Sequence, residues 1–219
     1  MKIRGLIFDL DGTLLNTLSD IADSMNAVLS DWGFPLHSTD MYRYFVGEGM
    51  DVLVHKSLPQ ELNDPEIIDA CFLEMKQRYA AHWNDKTVPY DGIRDALAHL
   101  KDKGYSLSVL SNKIHEFTVK TVYHYFDPAQ FNFIIGAGLF KKKPDPQAAL
   151  YIAKSSGFDI SEMLFVGDSG VDMRTALAAG MHSAGVLWGF REKMELTQNG
   201  AQYLLTTPSE IISLLDQIN

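Results

Sequence analysis

Asp9 and Asp11 follow a short apolar run and are separated by one residue, so on an extended backbone both side chains leave the same face and reach one small ligand. Two carboxylates around one ligand can divide the chemistry. One attacks covalently while the other, its proton affinity raised by the neighbouring charge, donates and then accepts a proton. Gly12 lets the chain turn with its amides open. Such amides, with those near Ser111 and Asn112 at the next helix start, suit an anion with several oxygens such as phosphate. Thr13 is expected to brace the turn. Asp168 and Asp172 stand one helical turn apart, so both carboxylates can face the Asp9 edge. Hard oxygen ligands of this kind select magnesium over zinc or copper. The seven histidines contain no His-Glu-x-x-His, and the single cysteine, Cys71, forms no Cys-x-x-Cys, so no zinc pattern competes. Lys143 precedes Pro144, whose ring disfavours helix at that residue, and it serves as a fixed positive charge.

These residues need strands to hold them. The apolar runs Leu6-Ile7-Phe8, Leu107 to Leu110, Phe133-Ile134-Ile135, Leu164-Phe165-Val166 and Ala184 to Leu187, with Tyr203-Leu204-Leu205 as a sixth candidate, alternate with helical patterns. That alternation predicts an α/β fold around a parallel sheet, with both faces of each strand covered. Ile93, Leu97 and Leu100 form one helical stripe before Gly104, and Val171 to Ala179 form another ending at Gly180. Ligands of such sheets bind outside the carboxyl ends of the strands. The chemistry-bearing residues follow the apolar runs at that edge. Helix capping explains any one of them and is a poor account of all four groups together.

Residues 17–86 break the alternation with helical periodicity and no convincing strand. Thr17 with Asp20 resembles a capping box, and Ile21, Met25, Val28, Leu29 and Trp32 trace one apolar face that ends at Gly33 and Pro35. A second long helix carries Ile68, Cys71, Phe72, Met75, Tyr79 and Trp83. The predicted organisation is an α/β core over 1–16 and 87–219 with a helical cap over 17–86 inserted after the first strand. Cys71 lies on an apolar stripe and reads as a core thiol. Tyr42, Tyr44 and Phe45 read as cap core, and His55, His82, His99, His115 and His124 as helix-surface or core-partner residues.

The chain of 219 residues carries 19 Lys+Arg against 28 Asp+Glu, a formal charge of −9. That balance, with no basic stripe, argues against nucleic acid as a partner. No stretch approaches the ~20 apolar residues of a membrane span, no signal peptide or anchor is expected, and the lone cysteine fits a reducing, cytoplasmic setting. Either a monomer or a homodimer is compatible with the sequence.

The motifs resemble those of the haloacid dehalogenase-like (HAD) superfamily of phosphohydrolases, in its phosphoglycolate phosphatase-like branch. Asp9-Leu10-Asp11-Gly12-Thr13 matches the first motif, Ser111 in Leu110-Ser111-Asn112-Lys113 the second, Lys143-Pro144-Asp145-Pro146 the third, and Gly167-Asp168-Ser169 with Asp172 the fourth. Asn16 departs from the aspartate that relatives often place at this cap-hinge position. The resemblance implies a Rossmann-like core and a magnesium-dependent phosphatase of a small phosphorylated metabolite, with 2-phosphoglycolate the leading candidate. It further implies Asp9 as the nucleophile forming an aspartyl-phosphate, and Asp11 as the acid that protonates the leaving oxygen and then activates water. Asp9, the Asp11 backbone carbonyl and Asp168 would hold magnesium with Asp172 in support; Ser111 would bind phosphoryl oxygens and Lys143 would neutralise charge. Gly47-Glu48-Gly49 is either the cap loop that meets the leaving group or a structural turn. Arg43 is either a partner for a substrate carboxylate or a solvated surface charge. A sugar-phosphate phosphatase or a phosphoglucomutase of the same superfamily is the alternative activity, and a phospho-accepting signalling domain a more distant one.

Overall fold

The computed structural model describes residues 2–219. Among them the strands are β1 (Gly5–Phe8), β2 (Leu15–Asn16), β3 (Val88–Pro89), β4 (Ser106–Ile114), β5 (Phe131–Ala137), β6 (Met163–Gly167), β7 (His182–Val186) and β8 (Tyr203–Leu205). Six form one sheet in the order β5-β4-β1-β6-β7-β8, and every neighbouring pair is parallel. All four residues of β1 and all five of β6 are buried, as strands covered on both faces must be. Their side chains alternate. Leu6 and Phe8 pack with Leu97, Leu107, Val166 and Ile211 on one face, while Ile7 packs with Phe165, Ile152 and Ala176 on the other. Each such side chain contributes roughly 1.5–3 kcal/mol on burial.

Strand cores lie where the apolar runs predict them, but their ends differ. β4 was expected to stop at Leu110 and continues to Ile114, and β5 extends the expected 133–135 by two residues at each end. The added residues of β4 include Ser106 and Ser111-Asn112-Lys113, polar side chains that hydrophobic patterning does not count. β7 spans His182–Val186 in place of 184–187, with Leu187 N still bonded to Leu205 O at 2.8 Å.

The chain leaves the sheet through β2 and returns through β3, an antiparallel pair with Asn16 opposite Val88. Between them run α1 (Leu18–Asp31), α2 (Tyr42–Phe45), α3 (Met50–Ser57) and α4 (Pro65–His82). Ile21, Met25, Leu29, Leu53, Met75 and Tyr79 belong to a separate apolar cluster between these helices, joined by Phe117 and Phe190 from beside the sheet. Cys71 is buried in it, and burial pushes its thiol above the usual range. Tyr42 is buried and packs edge-on to the half-buried Phe45 at 5.5 Å. Tyr44 departs from the expectation of a core residue: it is 51% exposed, because the short α2 turns it outward under the Arg191 guanidinium, 5.6 Å from the ring centroid.

The expected Thr17–Asp20 capping box is absent. The Thr17 hydroxyl is buried without a partner, and Asn16 Oδ1 instead accepts from Leu18 N at 3.4 Å. Asp20 looks across to the returning chain, where its carboxylate accepts from Lys86 N, Thr87 N and Thr87 Oγ1 at 2.8, 2.8 and 2.7 Å. A pattern of i, i+3 residues cannot reveal that partner, which is 67 positions away. At α4 the cap is regular: Asp64 accepts from Glu66 N and Ile67 N, with Pro65 in the first turn.

α5 (Ile93–Asp102), α6 (His115–Tyr125), α7 (Gln147–Ser156), α8 (Gly170–Ala179), α9 (Lys193–Gln198) and α10 (Ser209–Ile218) complete the fold. His55, His82, His99 and His124 are exposed on or beside helices, and His115 Nδ1 accepts from Gly136 N at 3.2 Å. Among the described residues no helix is long and apolar enough to cross a membrane.

Candidate active site

The sheet order reverses at β1: the chain runs outward through β4 and β5, then returns to the other side of β1 for β6, β7 and β8. That switch opens a crevice at the carboxyl end of β1. Asp9 N donates to Val166 O at 3.0 Å, carrying the β1–β6 ladder one residue further and fixing Asp9 at the crevice floor. Asp168 leaves the end of β6, and Asp172 sits in the first turn of α8. Carboxylate oxygens of Asp9, Asp168 and Asp172 lie within 4.8 Å of one another, and all three residues are buried.

Lys143 stands among them. Its ammonium is 2.6 Å from Asp172 Oδ1 and 2.9 Å from Asp9 Oδ1, and its side chain is 2% exposed. The other oxygen of Asp172 accepts from Ser169 Oγ and N at 2.6 and 3.1 Å. Asp168 Oδ2 accepts from Phe190 N at 2.7 Å. A Cβ on Gly12, whose φ is +87°, would stand 2.1 Å from Asp168 Oδ2, so only glycine permits this approach. Burial pushes the Asp9 carboxyl up to about 7, against the pull of Lys143 and with a further push from Asp172. Burial, then Asp172 and Asp9, raises Asp168 well above the usual carboxylate range. For Lys143, burial opposes the charge, but Asp172 and Asp9 outweigh it and hold the ammonium above its ordinary range. Three buried acids face one buried ammonium. An oxygen-preferring divalent cation balances that deficit, and the donor set is of the hard type such a cation takes.

The second acid, Asp11, is held differently. Lys113 Nζ contacts both of its oxygens, at 2.7 and 2.8 Å, and the two side chains are only 5% and 11% exposed. The same ammonium lies 4.8 Å from the centroid of the Tyr79 ring, which reaches over from α4. Burial pushes the Tyr79 hydroxyl up to about 12. An irregularity in the sheet aims Lys113 here. Leu110 pairs with Ile135 and Ile114 with Ala137, so three residues of β4 bulge against one of β5, turning Ser111, Asn112 and Lys113 toward the crevice.

Asn112 is a brace. Its Oδ1 accepts from Lys143 N at 2.8 Å, and its Nδ2 donates to Lys143 O and Gly47 O, both at 3.0 Å. One side chain therefore joins β4, the Lys143 loop and the loop after α2. Above the acids lies an open-mouthed cavity whose empty volume, mouth included, is about 500 Å³. Asp9, Asp11, Ser111 and Lys113 line its floor, while Ile21, Val46, Leu53 and Met75 form walls from the helical layer.

A model of the haloacid dehalogenase-like hydrolase family matches residues 6–186. The chain belongs to the haloacid dehalogenase-like hydrolases. It is 32% identical over 220 residues to a phosphoglycolate phosphatase of Neisseria meningitidis, covering 99% of this chain and 92% of that one. A phosphoglycolate phosphatase of Aquifex aeolicus is 30% identical over 217 residues, with 98% and 97% covered. The solved structure of a protein assigned as a phosphoglycolate phosphatase, from Lactobacillus delbrueckii subsp. bulgaricus, superposes with a TM-score of 0.91 at 28% identity, covering 98% of this chain and 99% of that one. These likenesses put the hydrolase in the phosphoglycolate phosphatase-like branch of the family.

Within this hydrolase the expected residues Asp9, Asp11, Ser111, Lys143, Asp168 and Asp172 converge on one crevice. Others differ from expectation. The Gly12 and Thr13 amides are not open: they donate to Leu15 O at 2.8 Å and Leu10 O at 3.3 Å, because the turn closes on itself. Ser111 and Asn112 sit on the bulged end of β4, and the helix starts only at His115, so no helix N-terminus supplies amides there. Gly47 and Gly49 line the cavity, but Glu48 points to Lys56, 2.6 Å away, and the hydrogen bond from Lys56 lowers its pKa. Arg43 does not line the cavity and pairs with Asp40 at 2.9 Å.

Lys113 is the polar floor residue whose role sequence reasoning missed. Its place two residues after Ser111, in the same polar group behind the apolar run, was a signal, although the bulge that aims all three side chains at the crevice has none. Phe190 N, the donor to Asp168, carried no comparable signal, because a backbone amide has no residue-type signature.

Proposed function

We propose that this hydrolase is a magnesium-dependent phosphatase of small phosphate monoesters, 2-phosphoglycolate foremost, acting through an aspartyl-phosphate on Asp9. The observation that carries the reading is the separation of two acids in one cavity: Asp9 beside Lys143 and the two further carboxylates, Asp11 apart from them on Lys113. Asp9 is the buried nucleophile, and Lys143 favours its ionised form. Its attack forms the Asp9–phosphorus bond as the ester oxygen–phosphorus bond breaks, and Asp11 gives the departing oxygen a proton. Asp11 then takes a proton from the water that cleaves the phosphoaspartate, which restores both acids. Asp9, Asp168 and Asp172 would hold the magnesium ion, together with the Asp11 carbonyl. When bound, the ion supplies positive charge against the phosphoryl oxygens. Lys143 and the Ser111 hydroxyl bind the same oxygens.

The largely apolar walls support a short leaving group. A hexose would bring several hydroxyls to side chains such as Ile21, Val46 and Met75, which cannot bond them. The named relatives support 2-phosphoglycolate, and the helical layer over 17–86 acts as the cap that excludes water and selects the substrate. The test is Asp9→Asn. It is expected to abolish turnover of 2-phosphoglycolate and p-nitrophenyl phosphate while circular dichroism stays native; retained turnover rejects the proposal.

A further inference from the structure

2-Phosphoglycolate brings a second anion into the cavity, the carboxylate of its leaving group. Past the floor, the walls are Ile21, Val46, Leu53, Met75 and Tyr79. A carboxylate buried among such side chains requires a cation. Among the described residues that line the cavity, Lys113 alone carries positive charge. Cations near the mouth are engaged elsewhere: Lys142 with Asp51 at 2.7 Å, and Arg191 with Val46 O at 2.8 Å and Glu195 at 3.2 Å.

We propose that Lys113 is the receptor for the substrate carboxylate, and that this carboxylate displaces Asp11 from the Lys113 ammonium, freeing Asp11 to take up a proton from solvent and pass it to the leaving oxygen. The inference rests on the phosphoglycolate reading above. Three features support the exchange. Lys113 Nζ is bound to both oxygens of Asp11, so in the absence of substrate its buried charge is paired and Asp11 is held on the ammonium. One anion replaces another, so the ammonium is never left unpaired in a site where its side chain is 5% exposed. The carboxyl carbon of 2-phosphoglycolate is two bonds from the ester oxygen, the atom that Asp11 must reach, so Asp11 and the carboxylate compete for the same cation. An ester with an uncharged leaving group leaves Asp11 on Lys113, and selectivity therefore enters through both kcat and KM.

The experiment compares 2-phosphoglycolate with ethyl phosphate, which has the same length and no carboxylate, using the full chain and saturating magnesium. In Lys113→Met, the ratio of kcat/KM for 2-phosphoglycolate to that for ethyl phosphate is expected to fall about 10–100-fold, the scale of one charge-assisted contact. An unchanged ratio overturns the proposal. Because Lys113→Met removes a buried charge and can compromise folding, Asp11→Asn provides a second route that leaves Lys113 in place. With its anion gone, calorimetry is expected to find 3-phosphonopropionate, the isosteric phosphonate of 2-phosphoglycolate, bound several-fold tighter than by wild type, relative to propylphosphonate. Equal changes for the two phosphonates overturn the proposal. Wild-type turnover of ethyl phosphate without turnover of 2-phosphoglycolate defeats the phosphoglycolate reading and this inference with it. Turnover of 2-phosphoglycolate with an unchanged ratio in Lys113→Met defeats this inference alone.

Discussion

Replacing Lys143 by methionine keeps most of the volume of the stem and removes the charge between Asp9 and Asp172. The side chain is 2% exposed, so solvent cannot substitute for the ammonium. Removing one member of a buried ion pair typically costs about 3–5 kcal/mol, because the remaining charges stay buried and unmatched. For a chain of this size, each kcal/mol lowers Tm by roughly 2–4 °C, which predicts a fall of about 6–20 °C at pH 8 in chelator. The loss should depend on pH, with a definite sign. Asp9 has a folded pKa of about 7 against an ordinary 3.8, so its ionised form destabilises the fold at high pH, and stability returns as pH falls through 7 toward 4. Lys143 lowers that pKa, and its removal leaves Asp9 neutral over a wider range. At pH 5.5 the variant then retains less unmatched charge, and the fall in Tm should shrink to less than half. Thermal unfolding followed by circular dichroism at pH 8 and 5.5, with chelator present, measures both numbers. Equal losses at the two pH values, or no loss at pH 8, would refute the electrostatic account of this cluster.

Chelated wild-type protein should itself gain stability between pH 8 and pH 5.5, since burial raises both Asp9 and Asp168 and each then binds a proton more tightly folded than unfolded. Magnesium at ~100 times its Kd should add about 2.7 kcal/mol at pH 8 and less at pH 5.5, as read by differential scanning fluorimetry. A magnesium effect that grows on acidification would contradict this. Asp20→Ala leaves the Lys86 and Thr87 amides without their acceptor and should cost roughly 2–4 kcal/mol in denaturant unfolding, with little change in magnesium affinity, because Asp20 ties the helical layer to the returning strand and not to the acid cluster.

The sheet was legible because its central strands β1 and β6 are buried on both faces and so appear as unbroken apolar runs. Its polar extensions were not: Ser111-Asn112-Lys113 belongs to β4 only through a bulge, and patterning has no means of detecting one. The site could be read because carboxylates, a hydroxyl and an ammonium following four strands have no common structural use. Arg43 and Glu48 were ambiguous for the opposite reason, since single charges on a helical layer have many available partners, and both pair locally with Asp40 and Lys56. The Thr17–Asp20 motif has the spacing of a cap, but Asp20 found stronger donors at the far end of the inserted segment, a long-range contact that local spacing cannot encode. Tyr44 was misplaced because α2 is only four residues long, too short for a helical period to define a buried face.

Covalent capture at Asp9 tests the central claim most directly. Enzyme mixed with magnesium and 2-phosphoglycolate, quenched in acid within the first turnovers and cleaved with trypsin, yields a Gly5–Arg43 peptide that contains both Asp9 and Asp11. Mass spectrometry is expected to find one phosphoryl group on this peptide, placed on Asp9 by fragmentation and removed by hydroxylamine. Phosphate release without any phosphoryl-peptide at early times, or a phosphoryl group on another residue, would contradict the account.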